Sequence, residues 1–202
     1  MTNINRSRKN RPAVFLGLVF IYVGGSDFVM KIIFSADNNW GIGRENKLLF
    51  HVKGDMDYFK KMTTGKTVVM GCKTLESLPN GRPLPNRVNV VLAADEDYTV
   101  DGALVCHNLE ALFEIVNAYD GDDVFVIGGA EVYRLLMPYC DTAYITRFLA
   151  DAPADRFMPD FDALPGWRRT SSSDVMQENG VPYRFDVYIQ ESPQNMEETY
   201  ER

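Results

Sequence analysis

Short runs of β-branched and other apolar residues alternate along the chain with segments whose apolar residues recur at helical spacing. The apolar runs predict eight strands, at residues 30–36, 67–70, 87–92, 103–106, 123–127, 142–148, 168–174 and 181–190. The helical patterns predict helices at residues 53–63, 73–78, 108–119 and 131–137. Alternation of strands and helices is typical of an α/β sheet whose strands are joined by crossover helices.

The strand patterns also predict how the sheet is covered and how it ends. Several strands, such as 67–70 and 123–127, are continuous apolar runs, and such strands are buried on both faces of a sheet. The last two strands have no helix between them, and Asn179-Gly180 supplies a turn for an antiparallel hairpin. The predicted fold is a single α/β domain with a mainly parallel, mixed eight-stranded sheet, flanking helices and a C-terminal hairpin.

The two ends of the chain differ from its middle. Residues 1–29 contain a basic stretch, an apolar run at 13–23 and then small residues, which is the outline of a secretory signal. That apolar run is too short for a helix that spans a membrane, which needs about 20 residues. Because Met30 directly precedes the first strand, we expect residues 30–191 to form the domain and 1–29 to be an extension that an upstream start adds; a signal segment is the alternative. The polar residues 192–202 predict a frayed tail.

Composition narrows the function classes. The 202 residues are 46% hydrophobic and 24% charged, which is ordinary for a globular protein. Acidic residues exceed basic ones by 28 to 21, and the resulting net charge of −7 disfavours binding to nucleic acid or to anionic membranes. Three cysteines without a C-x-x-C pair and only two histidines predict no disulfide framework and no metal site. A cytoplasmic location fits this cysteine usage.

Asp55 is the first candidate for chemistry. Asp55, Phe59 and Met62 lie at positions i, i+4 and i+7 of a predicted helix and therefore share a face, which Met56 adjoins. A carboxylate within an apolar face is costly to bury unless it is hydrogen-bonded. Asp55 either favours the positive N-terminus of its helix or binds a ligand and handles a proton in a dry pocket.

Two segments show the features of a phosphate site. In residues 68–74 and 124–130 a buried strand ends at glycine and a helix follows. Glycine allows a phosphate close to the backbone, and the N–H groups and dipole of a helix N-terminus favour an anion. Either segment alone fits a glycine that merely ends a strand. The pair predicts contacts to the two ends of a dinucleotide.

The loop after the first strand is the third candidate feature. Its residues 38–46 are rich in glycine and asparagine, yet the loop also carries Trp40, Ile42, Leu48, Leu49 and Phe50. Such a loop can close over a ligand and exclude water. The same side chains can instead pack to stabilise the loop itself.

These motifs together resemble the dihydrofolate reductase family. The sequences GIG…EN, Asp55 in the next helix, VVMGCKTLESLPNGRPLPNR and VFVIGGAEVY occur in the family's order, from Met30 to about Glu191. The resemblance implies NADPH-dependent reduction of 7,8-dihydrofolate to 5,6,7,8-tetrahydrofolate, which supplies one-carbon metabolism. Hydride passes to C6 of the pterin and a proton to N5, without a metal or a covalent intermediate. It also implies a monomer that binds antifolates such as trimethoprim or methotrexate.

The resemblance assigns roles to individual residues on the substrate side. Asp55 matches the carboxylate that binds the pterin and promotes protonation at N5, and Thr146 matches the threonine that hydrogen-bonds it. Arg87 matches the arginine that binds the α-carboxylate of the substrate's glutamate. The remaining substrate positions match backbone carbonyls at the pterin edge and apolar contacts, namely Ile33, Met56, Phe59, Leu78, Leu84 and Ile127.

On the cofactor side, the resemblance implies contacts to nicotinamide and to phosphate. The nicotinamide contacts include Leu48, which belongs to the loop that closes over the cofactor. Asp155 matches an aspartate that hydrogen-bonds this closing loop. The full set of implied cofactor residues is Ser35, Ile42, Gly43, Gly71, Lys73, Thr74, Leu92, Gly128, Gly129, Ala130 and Tyr133.

Several positions depart from the family pattern. Phe50 stands where the family usually has a tryptophan whose indole holds a water beside the carboxylate. Cys72, Ala93 and Ala94 replace residues that often bind the 2′-phosphate, so Lys73 is left as the phosphate partner. These departures leave open the catalytic rate and the preference for NADPH over NADH.

Two other functions remain possible at this level. A reductase of riboflavin synthesis has the same type of sheet and uses NADPH, but it gives no reason for Asp55 beside Phe59 or for Arg87. A folate- or nucleotide-binding module with little turnover is the second, because Phe50 lacks the indole donor. Measurement of turnover separates an enzyme from such a module.

Overall fold

The computed structural model describes residues 29–194 and residue 196. The predictions for residues 1–28, and those for 195 and 197–202, therefore lie outside the described residues.

The strands form one large sheet and one small ribbon. All eight predicted strands are present, together with three short ones that the sequence pattern did not predict. The strands are β1 Met30–Ala36, β2 Gly41–Gly43, β3 Thr67–Gly71, β4 Val88–Leu92, β5 Leu104–Cys106, β6 Val124–Gly128, β7 Cys140–Phe148, β8 Arg156–Phe157, β9 Trp167–Ser172, β10 Met176–Glu178 and β11 Val181–Gln190.

The four predicted helices are confirmed, with small differences at their ends. They are α1 Lys53–Thr63, α2 Cys72–Ser77, α3 Leu109–Val116 and α4 Ala130–Leu136. Helix α3 shows how the sequence specifies such an end, because the Asn108 side chain accepts a hydrogen bond from the Ala111 N–H at 2.8 Å. Leu112, Phe113 and Val116 of this helix are buried.

The large sheet is mainly parallel. Its strand order is β10-β11-β7-β1-β6-β3-β4-β5, with β9 also paired to β11. The pairs from β7 through β5 are parallel, whereas β11 is antiparallel to β7, β9 and β10. This arrangement confirms the predicted mixed α/β sheet.

The predicted hairpin differs in one respect. The strand expected at 168–174 ends at Ser172, and the separate short strand β10 follows it, so that β9 pairs with residues 186–190 of β11 and β10 pairs with 181–183. Asn179 and Gly180 form the turn and have φ angles of 51° and 79°, as a two-residue hairpin turn requires. The turn thus joins β10 to β11, and the two short strands occupy the place of one.

Both faces of the sheet are covered, as the continuous apolar strands predict. Along β1, Ile32 and Phe34 belong to one hydrophobic cluster while Ile33 belongs to the cluster on the opposite face. Strand β6 is buried at all five positions. The sheet is therefore a rigid support for side chains that project beyond the carboxyl ends of its strands.

The prediction of a frayed tail is wrong for its described part. Met196 is fully buried in the larger cluster, and the Gln194 N–H donates to the carbonyl of Pro138 at 2.8 Å. A single apolar side chain in a polar segment gives no periodic signal, so the sequence pattern did not show this anchor.

Candidate active site

A cavity of about 520 Å³ opens at the carboxyl ends of β1, β6 and β7. Helix α1, the start of α4, the end of α2 and the loop before α1 complete its lining. Ligands of open α/β sheets bind at this edge because the loops and helix N-termini converge there. We call this space the central cavity.

Asp55 lies on the first turn of α1 and lines the central cavity. Its exposed fraction is only 8%. The hydroxyls of Thr146 on β7 and Ser35 on β1 donate hydrogen bonds to its carboxylate. Burial raises the pKa of Asp55, and the two hydrogen bonds oppose that rise without cancelling it. The site therefore holds a carboxyl group that takes up a proton more readily than an exposed aspartate does.

The end of β6 brings backbone groups to the same cavity. Ile127, Gly128 and Gly129 line it, and the peptide bond between the two glycines is cis. On β1, the carbonyl of Ile33 accepts a hydrogen bond of 2.9 Å from the hydroxyl of Tyr133. Tyr133 is buried, and this burial raises the pKa of its phenol. The phenol thus remains a neutral donor.

The glycine pair is packed closely enough to leave little room for side chains. A β-carbon at Gly128 would lie 3.2 Å from Thr74 Oγ1 and 3.4 Å from the Tyr133 hydroxyl. The φ angle of Gly128 is +131°, which side-chain-bearing residues rarely adopt. Two helices begin beside this cradle, α2 after Gly71 and α4 after Gly129, and within the described residues no side chain caps either N-terminus. Free N–H groups beside glycine suit a phosphate, so these residues fit a dinucleotide.

The side chains of the loop after β1 lie in two different environments. Trp40 is buried in the main core, with the Arg147 guanidinium 3.8 Å from its ring centroid, whereas Ile42 and Leu48 line the central cavity. The loop is attached at its tip, because the Asn46 side chain donates to the carbonyl of Lys73 at 2.8 Å. It therefore spans the cavity from β1 to α2.

A second loop holds the first one in place. The Glu45 N–H donates to the Asp155 carboxylate at 3.0 Å, and the Asp155 N–H donates to the carbonyl of Gly43 at 3.0 Å. Strands β2 and β8 pair beside these bonds. The contact that the resemblance implied for Asp155 is present.

Most of the residues assigned from the sequence converge on the central cavity. Those that line it are Ile33, Ser35, Ile42, Gly43, Leu48, Asp55, Met56, Phe59, Thr74, Leu78, Ile127, Gly128, Gly129, Ala130, Tyr133 and Thr146.

Five of the assigned residues lie next to the cavity rather than in its lining. The Arg87 guanidinium is 5.9 Å from the ring centroid of Phe59, and its Nε donates to Thr63 Oγ1 at 2.9 Å. Leu84 packs with the cluster beneath Phe59. Gly71 and Leu92 are paired at the ends of β3 and β4, and Lys73 follows on the exposed side of α2.

Other cavity residues were not assigned from the sequence. They are Phe34, Arg44, Asn46, Lys47, His51, Tyr58, Ser77, Pro79 and Arg156. Tyr58, three residues after Asp55, could have been found from helical spacing. Its ring stacks on Phe185 at 4.0 Å. Arg156 reaches the cavity only through pairing of β8 with β2, for which a two-residue strand gives no sequence signal.

The residues that depart from the family pattern have defined places. Phe50 does not line the cavity; its ring lies 4.6 Å from that of Phe148, beside Val52 and Tyr183. Burial raises the pKa of the Cys72 thiol, which therefore adds no negative charge at neutral pH. His107 is exposed, and its Nδ1 is 3.2 Å from the carbonyl of Ala93.

In residues 29–194, no three side chains of His, Cys, Asp or Glu are grouped as a metal ion would need. No helix in this part of the chain has the length and apolar character for crossing a membrane.

Comparisons with known proteins agree with this geometry. The family model described as "Dihydrofolate reductase" matches residues 29–190. A dihydrofolate reductase of Bacillus subtilis (strain 168) is 37% identical over 163 residues, which cover 81% of this chain and 94% of that protein. One of Staphylococcus aureus (strain N315) is 34% identical over 158 residues, covering 77% and 94%.

A solved structure gives the same result in three dimensions. It is a dihydrofolate reductase from Enterococcus faecalis, described as complexed with NADP(H) and RAB-propyl. The two chains superpose with a TM-score of 0.74 at 31% identity, over 82% of this chain and 98% of that one.

Proposed function

Because the chain belongs to the dihydrofolate reductase family, we propose that its central cavity binds dihydrofolate against Asp55 and NADPH along the glycine-bearing strand ends. The protein is an oxidoreductase that uses NADPH to reduce 7,8-dihydrofolate to 5,6,7,8-tetrahydrofolate. The observation that supports the proposed site best is a buried carboxyl group, held by two hydroxyls, beside a glycine cradle with two uncapped helix N-termini.

Asp55 is the proposed group that binds the pterin and favours protonation at N5. Its carboxylate accepts from the amino group and ring nitrogen of the pterin, while Thr146 and Ser35 keep it oriented. Its raised pKa matches this role, because a group that handles protons works best when its pKa approaches the working pH.

Apolar residues orient the rest of the substrate. Met56, Phe59 and Leu78 line one side of the cavity, with Leu84 packed behind. Arg87, next to Phe59, is the proposed partner of the substrate's α-carboxylate, since a guanidinium binds a carboxylate through two parallel hydrogen bonds.

The cofactor is proposed to lie across the ends of β1, β3 and β6. NADPH, when bound, supplies the hydride for C6 of the pterin. Ser35, Ile42, Gly43 and Leu48 surround the nicotinamide region, and the loop that carries three of them excludes water. The phosphate contacts are assigned to Gly71, Lys73, Thr74, Leu92, Gly128, Gly129, Ala130 and Tyr133.

A direct assay tests this function. Purified protein should oxidise NADPH only when dihydrofolate is present, with one tetrahydrofolate formed for each NADPH consumed. Binding of both compounds without turnover would instead favour a binding module, and loss of the absorbance of NADPH without tetrahydrofolate would contradict the proposed reaction.

We expect Lys73→Ala to weaken the binding of NADPH much more than the binding of NADH. Lys73 is exposed beside the end of β4, where Cys72, Ala93 and Ala94 offer no positive charge to a 2′-phosphate. A charge-assisted contact contributes about 1.5–3 kcal/mol, so NADPH affinity should fall about ten- to a hundredfold. Titration of both cofactors against both proteins measures the effect. Equal losses would mean that Lys73 serves the shared pyrophosphate, and no loss would point to His107 or a nearby arginine.

We further propose that the enzyme is a cytoplasmic monomer that binds antifolates such as trimethoprim or methotrexate. The dry cavity with one carboxylate suits their protonated diaminopyrimidine or diaminopteridine rings. Residues 30–191 are the proposed catalytic domain, with residues 1–29 an extension and 192–202 a polar tail that Met196 anchors.

A further inference from the structure

Helix α1, which carries Asp55, begins without a local cap. Its N-cap residue is Val52, whose side chain cannot accept a hydrogen bond and is buried. Helix N-termini leave N–H groups unpaired, and a side-chain oxygen usually accepts from one of them. The first turn of α1 therefore needs an acceptor from elsewhere.

That acceptor comes from the C-terminal hairpin, more than 120 residues along the chain. The Glu178 carboxylate accepts from the Lys53 N–H through Oε1 at 2.8 Å and from the Gly54 N–H through Oε2 at 3.0 Å. Glu178 is the last residue of β10 and pairs with Val181 across the turn. Both carboxylate oxygens are thus used on two successive amides of one helix.

A second contact from the same hairpin restricts the same turn. A β-carbon at Gly54 would fall on the hydroxyl of Tyr183, a buried residue of β11. The helix can approach the hairpin this closely only because residue 54 is glycine. Asp55 follows directly, so its backbone is held by the hairpin while its carboxylate is held by Thr146 and Ser35.

We infer that Glu178 is a positioning residue for reduction: its carboxylate caps α1 and thereby fixes Asp55 against the substrate. The inference rests on the proposed role of Asp55. The cap has an electrostatic consequence as well as a geometric one. It neutralises the positive end of the helix, which would otherwise stabilise the ionised form of Asp55.

Several charged and titratable groups surround Asp55, but among the described residues only the Glu178 carboxylate accepts hydrogen bonds from the first amides of α1. Lys53 and Asp57 form an exposed ion pair with each other on α1. Burial raises the pKa of the phenols of Tyr133 on α4 and Tyr183 on β11. The negative charge of Asp55 adds to the rise at Tyr133, and those of Glu178 and then Asp55 add to it at Tyr183. His51 lies at the cavity just before the helix. Removal of Glu178 should therefore lower the pKa of Asp55.

The test compares Glu178→Ala and Glu178→Gln with the wild-type protein in single-turnover hydride transfer over a range of pH. In Glu178→Ala we expect the rate at pH 7 to fall about three- to tenfold, because small misplacements of a catalytic group are costly. The rate of Glu178→Ala should also begin to decline at a lower pH than the wild-type rate does, because the pKa of Asp55 is lower. Glu178→Gln, which keeps one acceptor but loses the charge, should retain more of the rate and show the same shift in pH.

Asp174→Ala is the matched control. Asp174 is an exposed carboxylate in the link between β9 and β10, four residues before Glu178, and among the described residues its side chain has no hydrogen bond or ion pair. It should match the wild type in rate and pH profile. In all variants the dissociation constant of NADPH should stay within about twofold of wild type, since neither Glu178 nor the two amides that it caps line the central cavity.

A second experiment tests the hydrogen bond between Glu178 and the Lys53 N–H by repeating the Glu178 substitution in a Lys53→Pro variant. Lys53→Pro removes one of the two amides, and proline is favourable at the first position of a helix. Val52 has φ −115° and ψ 124°, which a residue before proline tolerates. On this background Glu178→Ala should cost less rate than it does in the wild type. An equal loss would show that Glu178 acts by another route.

The inference is overturned if, per folded molecule, Glu178→Ala and Glu178→Gln have the rate and pH profile of Asp174→Ala. A loss that follows only the fraction of folded protein would overturn it too. The Asp55→Asn variant shows whether the positioning role of Glu178 alone is wrong or the proposed role of Asp55 is wrong as well. If Asp55→Asn is inactive while the Glu178 variants are normal, only the positioning role is lost.

Discussion

Replacing Asp55 with Asn should slow hydride transfer to dihydrofolate at pH 7 by at least about a hundredfold, the usual scale for loss of a group that assists proton transfer. The amide has nearly the same shape and still contacts Thr146 and Ser35, but it cannot carry the charge that favours a protonated pterin. Single-turnover kinetics with saturating NADPH measure this step. Near-normal transfer at pH 7 would show that Asp55 is not the group that promotes protonation.

The same variant should be more stable than the wild type. Burial raises the folded-state pKa of Asp55 above its ordinary value, so the folded protein binds this proton more tightly than the unfolded chain does. The contribution of Asp55 to stability therefore falls as pH rises from the unfolded pKa through the folded pKa, and the ionised group stays destabilising above it. Asp55→Asn removes that cost, so its denaturant midpoint at pH 7 should be higher. The advantage should shrink toward pH 3, where the wild-type carboxyl is protonated.

The second large effect is expected at the glycine cradle. Gly128→Ala places a β-carbon 3.2 Å from Thr74 Oγ1 at a φ angle of +131°, so either the backbone or Thr74 must shift. We expect a loss of about 1–3 kcal/mol in unfolding free energy from the strained backbone. NADPH affinity should fall about a hundredfold, because the cradle that takes the cofactor is filled.

Gly166→Ala is the control for that result. Gly166 also has a positive φ angle, +83°, but no atom lies within 4 Å of a β-carbon there, and the residue is exposed. It should lose stability while keeping its affinity for NADPH, as calorimetric titration and denaturant unfolding can show. If NADPH binding were weakened equally in both variants, backbone strain rather than the filled cradle would govern the affinity.

The order of elements and the main site residues could be predicted because their signals are local. A continuous apolar run predicts a doubly buried strand, and a glycine at its end predicts the start of a binding loop. Asp55 was found in the same way, from its spacing to Phe59 on a helix face. The resemblance to a family then gave each residue a role.

What could not be predicted depends on contacts between distant segments. Glu178 caps a helix more than 120 residues away, and the sequence around it contains only an ordinary strand and turn. Arg156 enters the cavity through a two-residue strand. Phe50 takes the position of the family's indole, yet it packs on Phe148 rather than lining the cavity, because Phe148 and Tyr183 provide an apolar site for its ring.

In the proposed mechanism Asp55 is a buried carboxyl group with a raised proton affinity beside the substrate. Carboxyl ¹³C NMR of aspartate-labelled protein, with the spectrum of Asp55→Asn subtracted to identify the signal, measures its titration directly. We expect the carboxyl group of Asp55 to titrate with a midpoint above 3.8, the ordinary pKa of an aspartate. A midpoint at or below that value would show a carboxylate stabilised by its hydrogen bonds alone, and the proposed proton-handling role of Asp55 would be contradicted.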